Sequence, residues 1–182
     1  TDTVGNAASD ATIDELTVTG TMRVGADAFA TATDNEVRLI VDGDQLRAVD
    51  PNGIEVIASR LLSEIVNIEV TGQTAVDDTL VVTVAAIPSG GVSFDGGGAG
   101  SDSLAIGSGD SESITDLAIV LSATTSGTAN IDGLIVSFTD IASIDSAGLS
   151  TLELQSVAFS AADDNITLND TSVSDGLFAY SS

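Results

Sequence analysis

Cysteine is missing from this sequence, and with it disulfides and thiolate metal sites. Histidine is missing too, which removes the usual general base and the commonest zinc ligand. There is no lysine, so amine nucleophiles are excluded. Carboxylate pairs of the glycosidase kind remain, but 28 Asp and Glu make accidental pairs inevitable. The chain is therefore expected not to be an enzyme. Aromatic residues are only 3% of the chain and tryptophan is absent, so any core must be aliphatic. No apolar run approaches the roughly 20 residues that span a bilayer, and membrane insertion is not expected. No signal peptide is visible and the chain opens on Thr1, which reads as a processed or excised chain.

Positive charge is also scarce. The four basic residues are Arg23, Arg38, Arg47 and Arg60, and the formal net charge is -24. From Leu61 onward there are 17 Asp and Glu and no basic residue. Such a surface repels nucleic acid, so no nucleic-acid partner is expected. It attracts cations and basic partners, and it equally suits a salty solvent.

What is present is β-forming. The chain is 43% hydrophobic, dominated by Val, Ile, Leu and Ala with much Thr, and its 182 residues suffice for one sizeable domain. Residues 1–12 are small and polar and read as a flexible arm. Residues 13–182 read as a single all-β domain, with a sub-boundary near 60–72. Strands are expected at Leu16 to Thr19 and Thr21 to Val24, followed by a loop over 25–35. Glu36 to Val41 alternates polar and apolar, Asp42-Gly43-Asp44 turns, and Gln45 to Val49 returns. Asp50-Pro51-Asn52-Gly53 is a second turn, because Pro presets one central angle and Asn-Gly accepts positive φ. Ile54 to Ile57 then completes an antiparallel meander. Residues 59–66 read as a helical turn or a loop. Further short strands are expected at 66–70, 79–85, 91–94, 103–106, 117–122, 134–138, 152–159, 165–168 and 177–180. No stretch of useful length has a helical period. The fold class expected is all-β: an antiparallel meander plus a β-solenoid-like body, with a β-sandwich as the alternative.

One phrase recurs. Asp77-Asp78-Thr79-Leu80, Ser101-Asp102-Ser103-Leu104 and Asp163-Asp164-Asn165-Ile166 each place Asp two residues before an aliphatic. The first two copies lie 24 residues apart, the length of one solenoid coil. The alternative is that Asp simply starts strands after turns. Within the second copy, Gly97-Gly98-Ala99-Gly100-Ser101-Asp102-Ser103-Leu104-Ala105 fits G-G-x-G-x-D-x-U-x. It resembles the calcium-binding nonapeptide of RTX proteins. The resemblance implies Ca²⁺ at Gly98, Gly100 and Asp102, with six to eight oxygen ligands. That family stacks many nonapeptides, whereas one is intact here: Val76 and Ala162 stand at glycine positions of the other two copies. Asp77, Asp78 or Asp95 would have to complete the ion's shell. The other reading is a glycine-rich turn with a solvated Asp.

A broader resemblance covers roughly residues 36–180. It rests on Asp77-Asp78-Thr79-Leu80, Gly97 to Leu104, Thr128-Ala129-Asn130-Ile131-Asp132-Gly133, and Asp163 to Asp170. These phrases are similar to the tandem modules of very large, repetitive bacterial secreted or surface proteins. The resemblance implies a secreted or cell-surface location and a structural role in a matrix, surface layer or filament. The expected partners are copies of the chain or neighbouring modules, met through exposed strand edges and, for the arm 1–12, by strand addition. The alternative is a calcium-dependent adhesin or carbohydrate-binding module with a glycan partner.

Overall fold

The computed structural model describes residues 20–107, 113–145 and 151–158. Thirteen strands occupy them: β1 Gly20–Val24, β2 Glu36–Asp42, β3 Gln45–Val49, β4 Val56–Leu61, β5 Ile65–Thr71, β6 Thr79–Val82, β7 Val92–Asp95, β8 Ser103–Ile106, β9 Ser113–Ala123, β10 Ser126–Ile131, β11 Leu134–Thr139, β12 Ser143–Asp145 and β13 Thr151–Ala158. One short helix, α1, spans Ala26–Thr31.

The strands form two mixed sheets. The seven-stranded sheet runs β1-β5-β7-β11-β10-β9-β13, and the six-stranded sheet runs β12-β8-β6-β2-β3-β4. Each has a run of four parallel strands starting at one edge. In the first, β1, β5, β7 and β11 pair in parallel. In the second, β2, β6, β8 and β12 do the same. The chain alternates between sheets, so β5 leads to β6, β7 to β8 and β11 to β12. Antiparallel strands continue each sheet on the other side: β3 and β4 beyond β2, and β10 and β9 beyond β11.

Alternation explains which face is inside. Successive side chains of a strand point to opposite faces, and Val37 and Leu39 of β2 and Leu104 and Ile106 of β8 are fully buried. Register then stacks like on like. Val37, Leu80, Leu104 and Ile144 occupy one row across the six-stranded sheet. Met22, Ile68, Val92 and Val136 form the matching row of the other sheet. Buried residues of both sheets belong to one hydrophobic cluster. Each such aliphatic contributes about 1.5–3 kcal/mol by leaving water.

Several expectations need correction. The loop expected over 25–35 contains α1. Three alanines favour the helix, and Asp27 in its first turn suits the helix dipole. Its anchor is Phe29, which is fully buried and stacks on Phe94 with ring centroids 6.0 Å apart. The strand expected at Ile54 to Ile57 runs instead over β4. The Asp50 carboxylate accepts the N–H groups of Ile54 (2.9 Å) and Glu55 (3.1 Å), which holds them in the turn. Residues 59–66 divide into the end of β4, a 3-10 turn at Leu62–Glu64 and the start of β5. Strands β10 and β12 were not expected. The arm 1–12 and the strands expected at 16–19, 165–168 and 177–180 lie outside the described residues.

Candidate cation site in the stacked loops

Three connections lie side by side where the seven-stranded sheet hands over to the six-stranded one. They are residues 72–78 after β5, 96–102 after β7 and 140–142 after β11. The strands on both sides are in register: Thr71 pairs with Asp95, and Thr79 with Ser103. The first two loops therefore run alongside each other at a 24-residue offset, although Gly97 and Gly98 take positive φ (89° and 73°) where Gln73 and Thr74 do not. Ala75 and Ala99 both adopt positive φ, at 60° and 64°. That is a costly conformation for a residue with a Cβ, and its recurrence marks a bend that the two loops share.

Hydrogen bonds between the loops fix the stack. Ala75 N–H donates to the Gly98 carbonyl at 3.0 Å. Asp78 N–H donates to Asp102 Oδ1 at 2.9 Å, and Ser101 N–H to Asp77 Oδ1 at 2.7 Å, each across 24 residues. Glycine is required where the loops touch. A Cβ on Gly96 would lie 2.5 Å from both Asp102 Oδ2 and the Asp140 carbonyl. A Cβ on Gly72 would lie 2.7 Å from Asp78 Oδ2 and from the Gly96 carbonyl.

The residues singled out from the sequence fall into two groups. Asp77, Asp78, Gly98, Gly100 and Asp102 come together in the stack. Asp95 stands at the loop entrance, where its exposed carboxylate accepts Gly97 N–H at 3.0 Å. Asp77 is exposed, while Asp78 and Asp102 are fully buried. Gly100 is packed against the Val76 carbonyl and lies 3.1 Å, measured from a Cβ, from Asp102 Oδ1.

The two buried carboxylates differ. Asp78 Oδ2 accepts Gln73 N–H, and Asp78 Oδ1 accepts the Gln73 side-chain amide at 2.9 Å. Asp102 Oδ1 accepts Asp78 N–H, but Asp102 Oδ2 is buried without a partner. Burial pushes the Asp102 carboxyl above the ordinary carboxylate range. The bond from Asp78 N–H works against that shift, and the charges of Asp78, Asp77 and Asp140 reinforce it. An unpaired buried carboxylate oxygen is expensive, and a proton or a cation removes the cost.

Among the described residues no three carboxylates come together in a way that could hold a metal ion. An ion at Asp102 must therefore take most of its ligands from backbone carbonyls, which suits a hard cation such as Ca²⁺. Sequence reasoning missed Gln73, Gly72, Gly96 and Asp140. Extending the 24-residue alignment leftward from the Asp-Asp-Thr-Leu phrase would have paired Gly72 with Gly96 and Gln73 with Gly97. Compared with protein-family models, curated proteins and solved structures, the chain finds no match in any of the three.

Proposed function

We propose that this chain is a non-enzymatic, extracellular structural module of a matrix, surface layer or filament. It associates with copies of itself through β edges and binds calcium at Asp102. The body is read as a solenoid-like stack of coils. The alternation of the chain between two parallel ladders and the 24-residue register of the loops support that reading. Two sheets about one core also fit a sandwich, but a sandwich built from antiparallel hairpins does not call for parallel rows of aliphatics.

The observation that carries association is the β4 edge. β4 is the last strand of its sheet among the described residues. It exposes Val56 (44%) and Leu61 (38%), and Ile54 (83%) lies just before it. Natural edges are usually blunted by lysine, proline or a bulge, because unpaired N–H and C=O groups recruit other strands. Lysine is absent throughout this chain.

At Asp102 the free carboxylate oxygen would meet the ion, and backbone carbonyls of the adjoining loops would supply other ligands. Bound calcium would neutralise the buried charge and tie successive coils together. Sedimentation of the chain with calcium and with chelator tests the reading, alongside the double variant Val56→Lys, Leu61→Lys. The expected result is wild-type assemblies that the double variant disperses. A monomer under every condition, with saturable glycan binding, would replace this reading by the adhesin one. The adhesin reading draws little from the shallow depression lined by Asn67, Gly90, Gly91, Ile135 and Ser137. Its volume is about 90 Å³, against roughly 300–1,000 Å³ for small-molecule pockets.

A further inference from the structure

The two loops, aligned at a 24-residue offset, carry one buried aspartate each, and those aspartates meet different partners. Position 73 in the first loop corresponds to position 97 in the second. Gln73 gives Asp78 two donors, its backbone N–H and its side-chain amide. The same amide reaches Asn35 Oδ1 at 3.4 Å, which ties it to the chain before β2. Gly97 has no side chain to offer, and its N–H turns to Asp95. Nor can that loop acquire one. Gly97 sits at φ 89°, and a Cβ there would lie 2.6 Å from the Gln73 carbonyl and 2.9 Å from that of Gly72. The result is one carboxylate with both oxygens engaged and another, fully buried, with Oδ2 unpartnered.

We infer that the Gln73 amide takes the place of a cation at Asp78, so that of the two buried carboxylates only Asp102 demands an ion, and each chain takes up one Ca²⁺ in this stack. The inference rests on the calcium reading of Asp102 and adds to it the count and the residue that sets the count. A neutral amide satisfies a carboxylate by hydrogen bonding without cancelling its charge. That is tolerable once per stack. The neighbouring Asp102 then faces the charges of Asp78, Asp77 and Asp140 together.

Calcium titration by calorimetry of the whole chain tests this. The wild type should bind one ion and Asp102→Asn none. Gln73→Met, which keeps the side-chain length but removes the amide, should bind two, as should Gln73→Ala. One ion in the wild type and still one in both Gln73 variants overturns the inference while leaving calcium at Asp102 standing. No ion in the wild type but one in the Gln73 variants supports the role of Gln73 and removes the reading of Asp102. No ion in any of them overturns both. If the Gln73 variants do not fold, Asp78→Asn answers the same question: the count should stay at one, and a count of zero means Asp78 is itself a ligand and sinks the inference.

Discussion

Residues 72–78 and 96–102 share a left-handed alanine at a 24-residue offset, yet differ in backbone at Gly97 and Gly98 and are held by different chemistry. The first is a closed hydrogen-bonded loop: Gln73 folds back and occupies both oxygens of Asp78. The second is glycine-rich and leaves Asp102 half satisfied. What the two segments share is their inward aliphatics, with Leu80 beside Leu104 and Val82 beside Ile106. Away from the glycines where the loops touch, loop composition is free to drift as long as the backbone N–H groups still find acceptors.

The comparison can be broken most severely at the glycines between the loops. Gly96→Ala puts a methyl group 2.5 Å from Asp102 Oδ2 and from the Asp140 carbonyl. A loss of about 3 kcal/mol in urea unfolding is expected, because a backbone oxygen cannot step aside. Asp78→Ala comes next. It strips both Gln73 donors of their acceptor at a fully buried position and should cost about 2 kcal/mol. Asp102→Asn should move the other way or not at all. It keeps an acceptor for Asp78 N–H and removes a buried charge, so in chelator at neutral pH we expect a change between zero and about +1 kcal/mol.

That contrast has a pH signature. The Asp102 carboxyl titrates above its unfolded value, mainly because it is buried. The folded state therefore binds the extra proton, and in chelator Asp102's contribution to stability should grow as pH falls from neutral through its raised pKa. Asp102→Asn should abolish that gain. Asp132 behaves oppositely. The Thr115 hydroxyl bond holds its carboxyl below the ordinary range, with help from the Asp116 and Thr115 N–H groups. Its contribution is present above the usual carboxylate range and is lost in stronger acid. Melting curves across pH for wild type and Asp102→Asn check the point, and identical pH slopes would contradict it. The smallest effect belongs to Asp95→Ala, which removes one exposed bond to Gly97 N–H and should cost no more than about 0.5 kcal/mol.

Much of the fold was legible where alternation was clean. β8 falls at Ser103–Ile106, as the sequence suggests, and the turns at 42–44 and 50–53 carry the glycines their φ values require. Helix α1 was not legible because six residues are too few to show a period, and Phe29 declares itself only by meeting Phe94. β12 is three residues long and exists because β8 offers it a parallel partner. At the site, the repeated aspartates and the 24-residue interval could be read directly. Gln73 could not, since nothing in the local sequence aims an amide at a carboxylate five residues ahead until the loop curls.

The hairpins β3–β4 and β9–β10 interrupt the alternation between sheets without disturbing it. β6 still docks on β2, and β11 on β7, after the extra strands have left and returned. The length of chain between one parallel strand and the next is thus a free variable, and the hairpin tips at Asn52-Gly53, between β3 and β4, and Thr124-Thr125, between β9 and β10, point to where foreign sequence can be grafted. A tag or peptide ligand inserted at Thr124, an exposed residue of the turn between β9 and β10, would be displayed at the tip of that hairpin while β11 keeps its place on β7.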